Sequence, residues 1–486
     1  MNYSVVRYIV GWVMVVEALF MILPAIVAII YGESQGFAFL WVLLGAGLIG
    51  GALVVKKPKN MNFYVKEGFV TVSLCWIILS VIGCLPFVIN EDIPRFTDAL
   101  FETVSGFTTT GASILSDVEA LAKCSMFWRC FTHWIGGMGV LVFVLAILPM
   151  AGGTHMNLMK AESPGPSVGK LVPKVKQTAV YLYGIYIVLT IIEVIFLLVG
   201  DMSLYNALTT AFGTAGTGGF GIYNDSFMSQ SSYIQWVVTI FMILFGVNFG
   251  VYFLMLMGKF KQAFLYEELR GYLGIIFGAA IIMFIDLKDI IVGTGECIKH
   301  IFFQIGSIMT TTGYASVDFD LWPDTSKTVL VLLMFIGACA GSTGGGIKVS
   351  RFIILIKTVF KELTSFIHPR SVKKIKLEGK VLEHETLRAT NVYFITFFIL
   401  FATSVLLISF EGKGLVTNFT AVAATINNIG PGLELVGPTA NFGHFTDFSK
   451  YVLMFDMLAG RLELFPLLLL FCPSVWTPKK KLKVEA

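Results

Sequence analysis

The chain has 486 residues, of which 56% are hydrophobic and only 14% charged, and its mean hydropathy is +0.81. That is more apolar surface than a water-soluble fold of this length can bury, so lipid must be part of its solvent. The formal charge of +4 gives no ground for a nucleic-acid partner. Seven cysteines (Cys75, Cys84, Cys124, Cys130, Cys297, Cys339, Cys472) stand singly, without CxxC pairs or Cys/His ligand spacing, and read as packing residues.

In chain order, apolar segments fall near 7–32, 36–55, 68–90, 126–150, 179–200, 233–257, 272–293, 328–357, 390–410 and 450–472. Each approaches or exceeds the roughly 20 residues needed to cross a bilayer, which predicts ten transmembrane helices. The first is too long for a signal-peptide core and has no small-residue cleavage site after it, so it reads as a retained span. Four shorter semi-apolar stretches, 96–109, 203–214, 297–310 and 415–427, are too short to cross and lead into Thr/Gly-rich or Gly-rich turns.

An even number of spans puts both termini on one side. Basic residues then gather there: Arg7, then Lys56, Lys57, Lys59 and Lys66, then Lys160, Lys170, Lys174 and Lys176, then Lys259, Lys261 and Arg270, the stretch 348–388, and the tail Lys479, Lys480, Lys481 and Lys483. The opposite segments carry Glu91, Asp92, Asp117, Asp201, Asp225, Asp286, Asp318, Asp320 and Asp324. By the positive-inside rule the protein is expected in the cytoplasmic membrane, multi-pass, with both termini cytoplasmic.

Four motifs follow the short stretches: FTTTGAS (107–113), AGTGGFG (215–221), MTTTGYAS (309–316) and NNIGPG (427–432). Aligning Gly111, Gly218, Gly313 and Gly430 places them at intervals of roughly 100 residues, each holding two spans and a half-helix. The predicted fold is all-α and membrane-integral. Two N-terminal helices (1–60) precede four pseudo-symmetric span/half-helix/span repeats at 61–160, 161–260, 261–375 with a broken second span, and 376–486 ending in a basic tail, around one central pore. Packing glycines recur at helical spacing; these instead sit where the chain must turn back. Irregular backbone at membrane depth survives only when buried in protein or lining a water-filled cavity. Rings of carbonyls can replace the water shell of K⁺, and glycine lets successive carbonyls turn inward through positive φ. The hydroxyls of Thr110 and Thr312 either add oxygen ligands or cap the turns.

Several long motifs in order, FETVSGFTTTGAS (101–113), THWIGGMGV (132–140), TAFGTAGTGGFG (210–221), TTTGYASVDFDLWP (310–323), GACAGSTGGGIKVSR (337–351) and TINNIGPGLELVGP (425–438), resemble the Trk/Ktr/HKT superfamily of potassium transporters, nearest its TrkH branch. The resemblance covers essentially the whole chain. It implies a selectivity filter made of Thr109, Thr110 and Gly111, of Thr217, Gly218 and Gly219, of Thr311, Thr312 and Gly313, and of Asn428, Ile429 and Gly430. K⁺ is expected at Thr110, Gly111, Thr217, Gly218, Thr312, Gly313, Ile429 and Gly430. Glycine at all four aligned positions matches the K⁺-selective type, while NNIGPG departs from the Thr-rich pattern and makes the ring only approximately four-fold. The resemblance further implies a homodimer on a cytosolic TrkA-like nucleotide-binding regulatory subunit. No cofactor is expected in this chain itself, and any nucleotide belongs to that partner.

Two gating candidates stand out. The segment 328–357 exceeds one crossing, and Gly341, Ser342, Thr343, Gly344, Gly345 and Gly346 make a poor helix; the resemblance implies a gate below the filter, and a packing kink is the alternative. Arg461 is ionisable in an apolar segment and a functional candidate by default. It resembles the family's pore-facing arginine; snorkelling, or pairing with Glu463 or Asp456, is the alternative.

Other classes fit worse. Gly216, Gly218 and Gly221 satisfy GxGxxG but follow no strand, and 341–348 lacks the GK[ST] of a P-loop. His133 reads as a packing or hydrogen-bonding group before a proton relay. An intramembrane enzyme would need a nucleophile or paired carboxylates at membrane depth, and none is evident; a transporter for organic substrates would give two inverted repeats in place of four parallel ones. The expected function is K⁺ uptake, with a K⁺/Na⁺ or K⁺/H⁺ coupled symporter of the same family as the alternative.

Overall fold

The structure is a computed structural model that describes residues 1–59, 64–139, 175–370 and 373–476. Expectations for 140–150, Lys160, Lys170, Lys174, the side chain of Lys176, and the tail lysines Lys479, Lys480, Lys481 and Lys483 lie outside the described residues. Helices make up most of what is described; one small antiparallel hairpin pairs Lys376 with Val381 and Leu377 with Lys380.

Among the described residues, six helices are long and apolar enough to cross a membrane: Tyr3–Tyr31, Gly36–Val55, Val65–Ile89, Ala179–Val199, Glu267–Leu287 and His384–Ser409. They match the sequence segments beginning at 7, 36, 68, 179, 272 and 390. Within the segment 233–257, expected as one span, the helix breaks into Ser232–Phe245 and Phe249–Leu256, which meet at 89°. The cause is local: Gly246 ends the first helix, and the Asn248 side chain caps the second by accepting the Gly250 N–H at 2.8 Å. The remaining segments give Lys123–Gly137, then Asp324–Ile336 followed by Val349–Ile367, and Asp447–Arg461 followed by Phe465–Leu470.

The exposed faces carry Ile29, Leu48, Val188, Ile281 and Ile395, while Glu17, Glu102, Arg129 and Lys348 are buried. Apolar outside and polar within is the arrangement of a multi-pass membrane protein. The Tyr3 hydroxyl donates to Trp476 O at 3.3 Å, Arg7 to Lys56 O and Lys66 to Ser474 O, so these residues share one end of the molecule. Glu33 with Lys123, Asn224 with Asp117, and Arg95 with Asp447 tie the other end.

Four half-helices, Phe96–Phe107, Leu204–Ala215, Thr294–Met309 and Leu415–Ile426, fill the centre, with their last turns buried. The first packs among Val65–Ile89, Lys123–Gly137 and Asp447–Arg461.

Candidate functional site

Each half-helix ends in the same turn. At the first, Thr109 takes φ +54°, its N–H donates to Gly106 O at 3.1 Å, and Thr110 N–H donates to Ser105 O at 2.9 Å. Thr217 (φ +51°), Thr311 (φ +60°) and Asn428 (φ +56°) occupy the same position in the others, and Gly218, Thr312 and Ile429 donate to Gly213, Ser307 and Ala424 at 2.9, 2.8 and 2.8 Å. These crossed bonds around a left-handed residue are a Schellman ending, where Gly or Asn is usual. Left-handed threonine costs about 1–2 kcal/mol. Such strain persists where the surroundings over-determine it, commonly at functional sites.

Two residues later come Gly111 (φ +78°), Gly219 (φ +81°), Gly313 (φ +87°) and Gly430 (φ +97°). A Cβ added at Gly111 would overlap the carbonyl oxygen of Gly218, one at Gly219 that of Thr312, and one at Gly313 that of Ile429; one at Gly430 would lie 2.8 Å from the carbonyl oxygen of Thr110. The contacts run from loop one to two, two to three, three to four, and back to one. All four glycines also line one cavity of about 130 Å³.

This geometry corrects the alignment of the second loop by one residue. Gly219, not Gly218, matches Gly111, Gly313 and Gly430, so the expected pair Thr217 and Gly218 stands one residue before the positions of Thr110 and Gly111 in the first turn. GTGGFG offers glycines at 216, 218, 219 and 221; only φ and the turn hydrogen bonds distinguish them. The Thr110 and Thr312 hydroxyls bond Thr108 and Thr310, both at 2.8 Å, as expected of turn capping. The Asn428 amide crosses to Thr110 Oγ1 at 2.9 Å and to Met457 O at 2.9 Å, joining the fourth loop to the first.

The segment between Asp324–Ile336 and Val349–Ile367 is non-helical, with Gly337, Gly341, Gly346 and Lys348 at positive φ. It lies against the half-helix ends of loops three and four. Gly345 N–H donates to Thr311 Oγ1 at 2.6 Å, and a Cβ at Gly344 would stand 2.8 Å from Thr310 O. The same segment seats in the 89° bend: Cys339 N–H donates to Gly246 O at 3.0 Å, Phe249 N–H to Gly341 O at 3.0 Å, and Thr343 Oγ1 to Phe245 O at 3.2 Å. Ser342 Oγ donates to Cys339 O at 2.7 Å.

Arg461 donates to Thr343 O at 2.9 Å, to Gly137 O at 2.8 Å and to Gly136 O, linking the helix Asp447–Arg461 to the Gly-rich segment and to the end of Lys123–Gly137. The partners considered for it are engaged elsewhere. Glu463 pairs with Arg351, and Asp456 accepts from Ser404 Oγ at 2.7 Å.

Sequence reasoning missed several residues. Glu268 is buried, and its Oε1 accepts from Ala340 N–H at 2.7 Å and Ser350 N–H at 3.1 Å, so one carboxylate holds both ends of the Gly-rich segment. Lys348 and Arg351, counted with the cytoplasmic basic stretch, are buried; Lys348 donates to Gly344 O and Arg351 to Ile347 O at 3.0 Å. The signal available was Glu268 opening an apolar span, an ionisable group placed where lipid disfavours one. His133 has the expected hydrogen-bonding role, between Gly106 O and Phe220 N–H. All seven cysteines are free, and all but Cys472 are buried.

A family model described as TrkH, cation transport protein, matches residues 35–285 and 276–480. The chain is 36% identical over 484 residues to the Trk system potassium uptake protein TrkH of Escherichia coli strain K12, covering 98% of this chain and 100% of the relative. Against TrkG of the same organism it is 32% identical over 479 residues, covering 97% and 98%. The crystal structure of the potassium transporter TrkH from Vibrio parahaemolyticus superimposes with TM-score 0.88 at 32% identity, covering 98% of this chain and 100% of that one. With a helical membrane architecture and matches running along nearly its whole length, the chain belongs to the TrkH family of cation transport proteins.

Proposed function

We propose that this protein carries K⁺ into the cell across the cytoplasmic membrane, through the ring of four loops acting as a selectivity filter. The observation that carries the reading is the closed sequence of contacts in which each loop's glycine meets the next loop's carbonyl oxygen. Dehydrated K⁺ needs inward oxygens in place of water, and converging carbonyls supply them without side-chain charge. The four half-helices end at the ring, so their negative dipole ends favour a cation. The names of the Escherichia coli and Vibrio relatives agree with potassium as the cargo. The filter comprises Thr109, Thr110, Gly111, Thr217, Gly218, Gly219, Thr311, Thr312, Gly313, Asn428, Ile429 and Gly430, with ion ligands at Thr110 and Gly111, Gly218 and Gly219, Thr312 and Gly313, and Ile429 and Gly430.

The Gly-rich segment with Gly341 to Gly346, together with Arg461, forms the gate. Its contacts with Thr311 and Thr310 put it against the ring, and the guanidinium bridges three separate elements there. Ten spans in two helices plus four span/half-helix/span units is the architecture favoured. Its support is the recurrence of half-helix, turn and a following helix that stops at Gly137, Phe245, Ile336 or Arg461. The end carrying Tyr3 and Trp476 also bears Lys56, followed in sequence by Lys57 and Lys59, which supports a cytoplasmic placement of that end. A homodimer on a TrkA-like cytosolic subunit is the assembly this reading entails.

Uptake follows the membrane potential, worth roughly 2.3 kcal/mol per charge per 100 mV. Purified protein in liposomes should accumulate labelled Rb⁺ under an imposed inside-negative potential. Empty-liposome levels of uptake would reject the reading.

A further inference from the structure

The ring is held differently on its two sides. Gly136 sits against the carbonyl of Phe107, the last residue of the first half-helix, and Gly460 sits against that of Ile426, the last of the fourth. Counting back from each glycine along the same helix face gives His133 and Arg129 in one case, Met457 and Leu453 in the other. Glu102, in the first half-helix, is matched by Ala421 in the fourth. At these positions the fourth loop is backed by the apolar side chains Met457, Leu453 and Ala421, while the first and second share an ionic network.

That network is buried and connected. Glu102 accepts from Arg129 Nε at 2.7 Å, Ser113 Oγ at 2.9 Å and Ile114 N–H at 2.9 Å, which fixes the segment leaving Gly111. Arg129 Nη1 donates to Gly221 O at 3.0 Å, and the guanidinium lies 3.6 Å from the Phe220 ring centre, which fixes the segment leaving Gly219. The side chains of Arg129 and Glu102 are 2% and 0% exposed. His133 Nδ1 lies 2.7 Å from Gly106 O, which only accepts, so Nδ1 carries the proton. Nε2 then accepts from Phe220 N–H at 3.1 Å. The same ring packs directly against Gly218, whose carbonyl meets Gly111.

From this placement we infer that Glu102, Arg129 and His133 are positioning residues that set the spacing of the first and second loops, and thereby the preference for K⁺ over Na⁺. The inference rests on the ring being the ion path. Discrimination depends on the spacing and field of the carbonyl oxygens. A backing with its polar groups paired keeps them from closing on a smaller ion, because satisfied buried networks are rigid. Removing the guanidinium leaves a buried carboxylate unpaired and Gly221 O without its donor, and the two outer legs relax.

The test is the K⁺/Na⁺ permeability ratio of the full chain in proteoliposomes. Arg129→Gln should lower the ratio by about five-fold or more while flux persists. Arg129→Lys should fall between, since an ammonium lacks the fork that reaches both loops. Leu453→Ala, which opens space behind the fourth loop, should leave the ratio within about two-fold of wild type. If Arg129→Gln does not fold, the Glu102→Gln and Arg129→Gln double variant, which buries no lone charge, should show the same loss of preference. A wild-type ratio in the Arg129→Gln protein, or in the double variant used in its place, overturns the inference, as does an equal loss in Leu453→Ala. Absence of Rb⁺ uptake by the wild type overturns the ion path itself, and this inference with it.

Discussion

At the scale of single residues, the ring depends on four positions where a side chain has no room. Gly111 combines positive φ with a Cβ direction that runs into the Gly218 carbonyl, so any replacement both strains the first loop and displaces an oxygen of the second. Gly111→Ser should reduce the K⁺/Na⁺ permeability ratio several-fold, measured by ion competition in proteoliposomes; an unchanged ratio would separate selectivity from this contact. Three of the four turns could be read from sequence because Thr-Thr-Gly and Asn-Ile-Gly each end in a single glycine. The second could not, since Gly218 and Gly219 are adjacent and only the left-handed φ of Gly219 identifies it. Arg129 and Glu102 were not legible for another reason: they lie 27 positions apart, and while Glu102 stands in the motif 101–113, Arg129 lies outside every motif.

Among elements, the half-helices were legible as stretches too short to cross, and the break in 328–357 as a run of glycines. The 89° bend at Gly246 was not, because hydropathy stays high on both sides and Asn248 alone interrupts it. That bend matters, since it supplies Phe245 O, Gly246 O and Phe249 N–H to the Gly-rich segment. Glu268 then clasps the segment at Ala340 and Ser350. Glu268→Gln keeps the shape but halves the acceptor capacity and removes the charge, weakening hydrogen bonds worth about 1.5–3 kcal/mol when one partner is charged. The expected outcome is a several-fold rise in basal Rb⁺ flux at unchanged ion preference. A fall in flux would mean that the clasp holds the segment open.

For the whole molecule, composition alone dictated a lipid-embedded helical protein, and the outward apolar and inward polar side chains bear that out. What composition could not supply is closure: four loops far apart in sequence meeting in cyclic order, each glycine against a main-chain oxygen of the next loop. The ring is the central claim, and heavy-ion density tests it most directly. Crystals or frozen grids of the protein prepared in Tl⁺ or Rb⁺ should show ion density on the axis among the carbonyls of Thr110, Gly218, Thr312 and Ile429, absent in Na⁺. Density bound elsewhere in the molecule, with none among those four oxygens, would contradict the account.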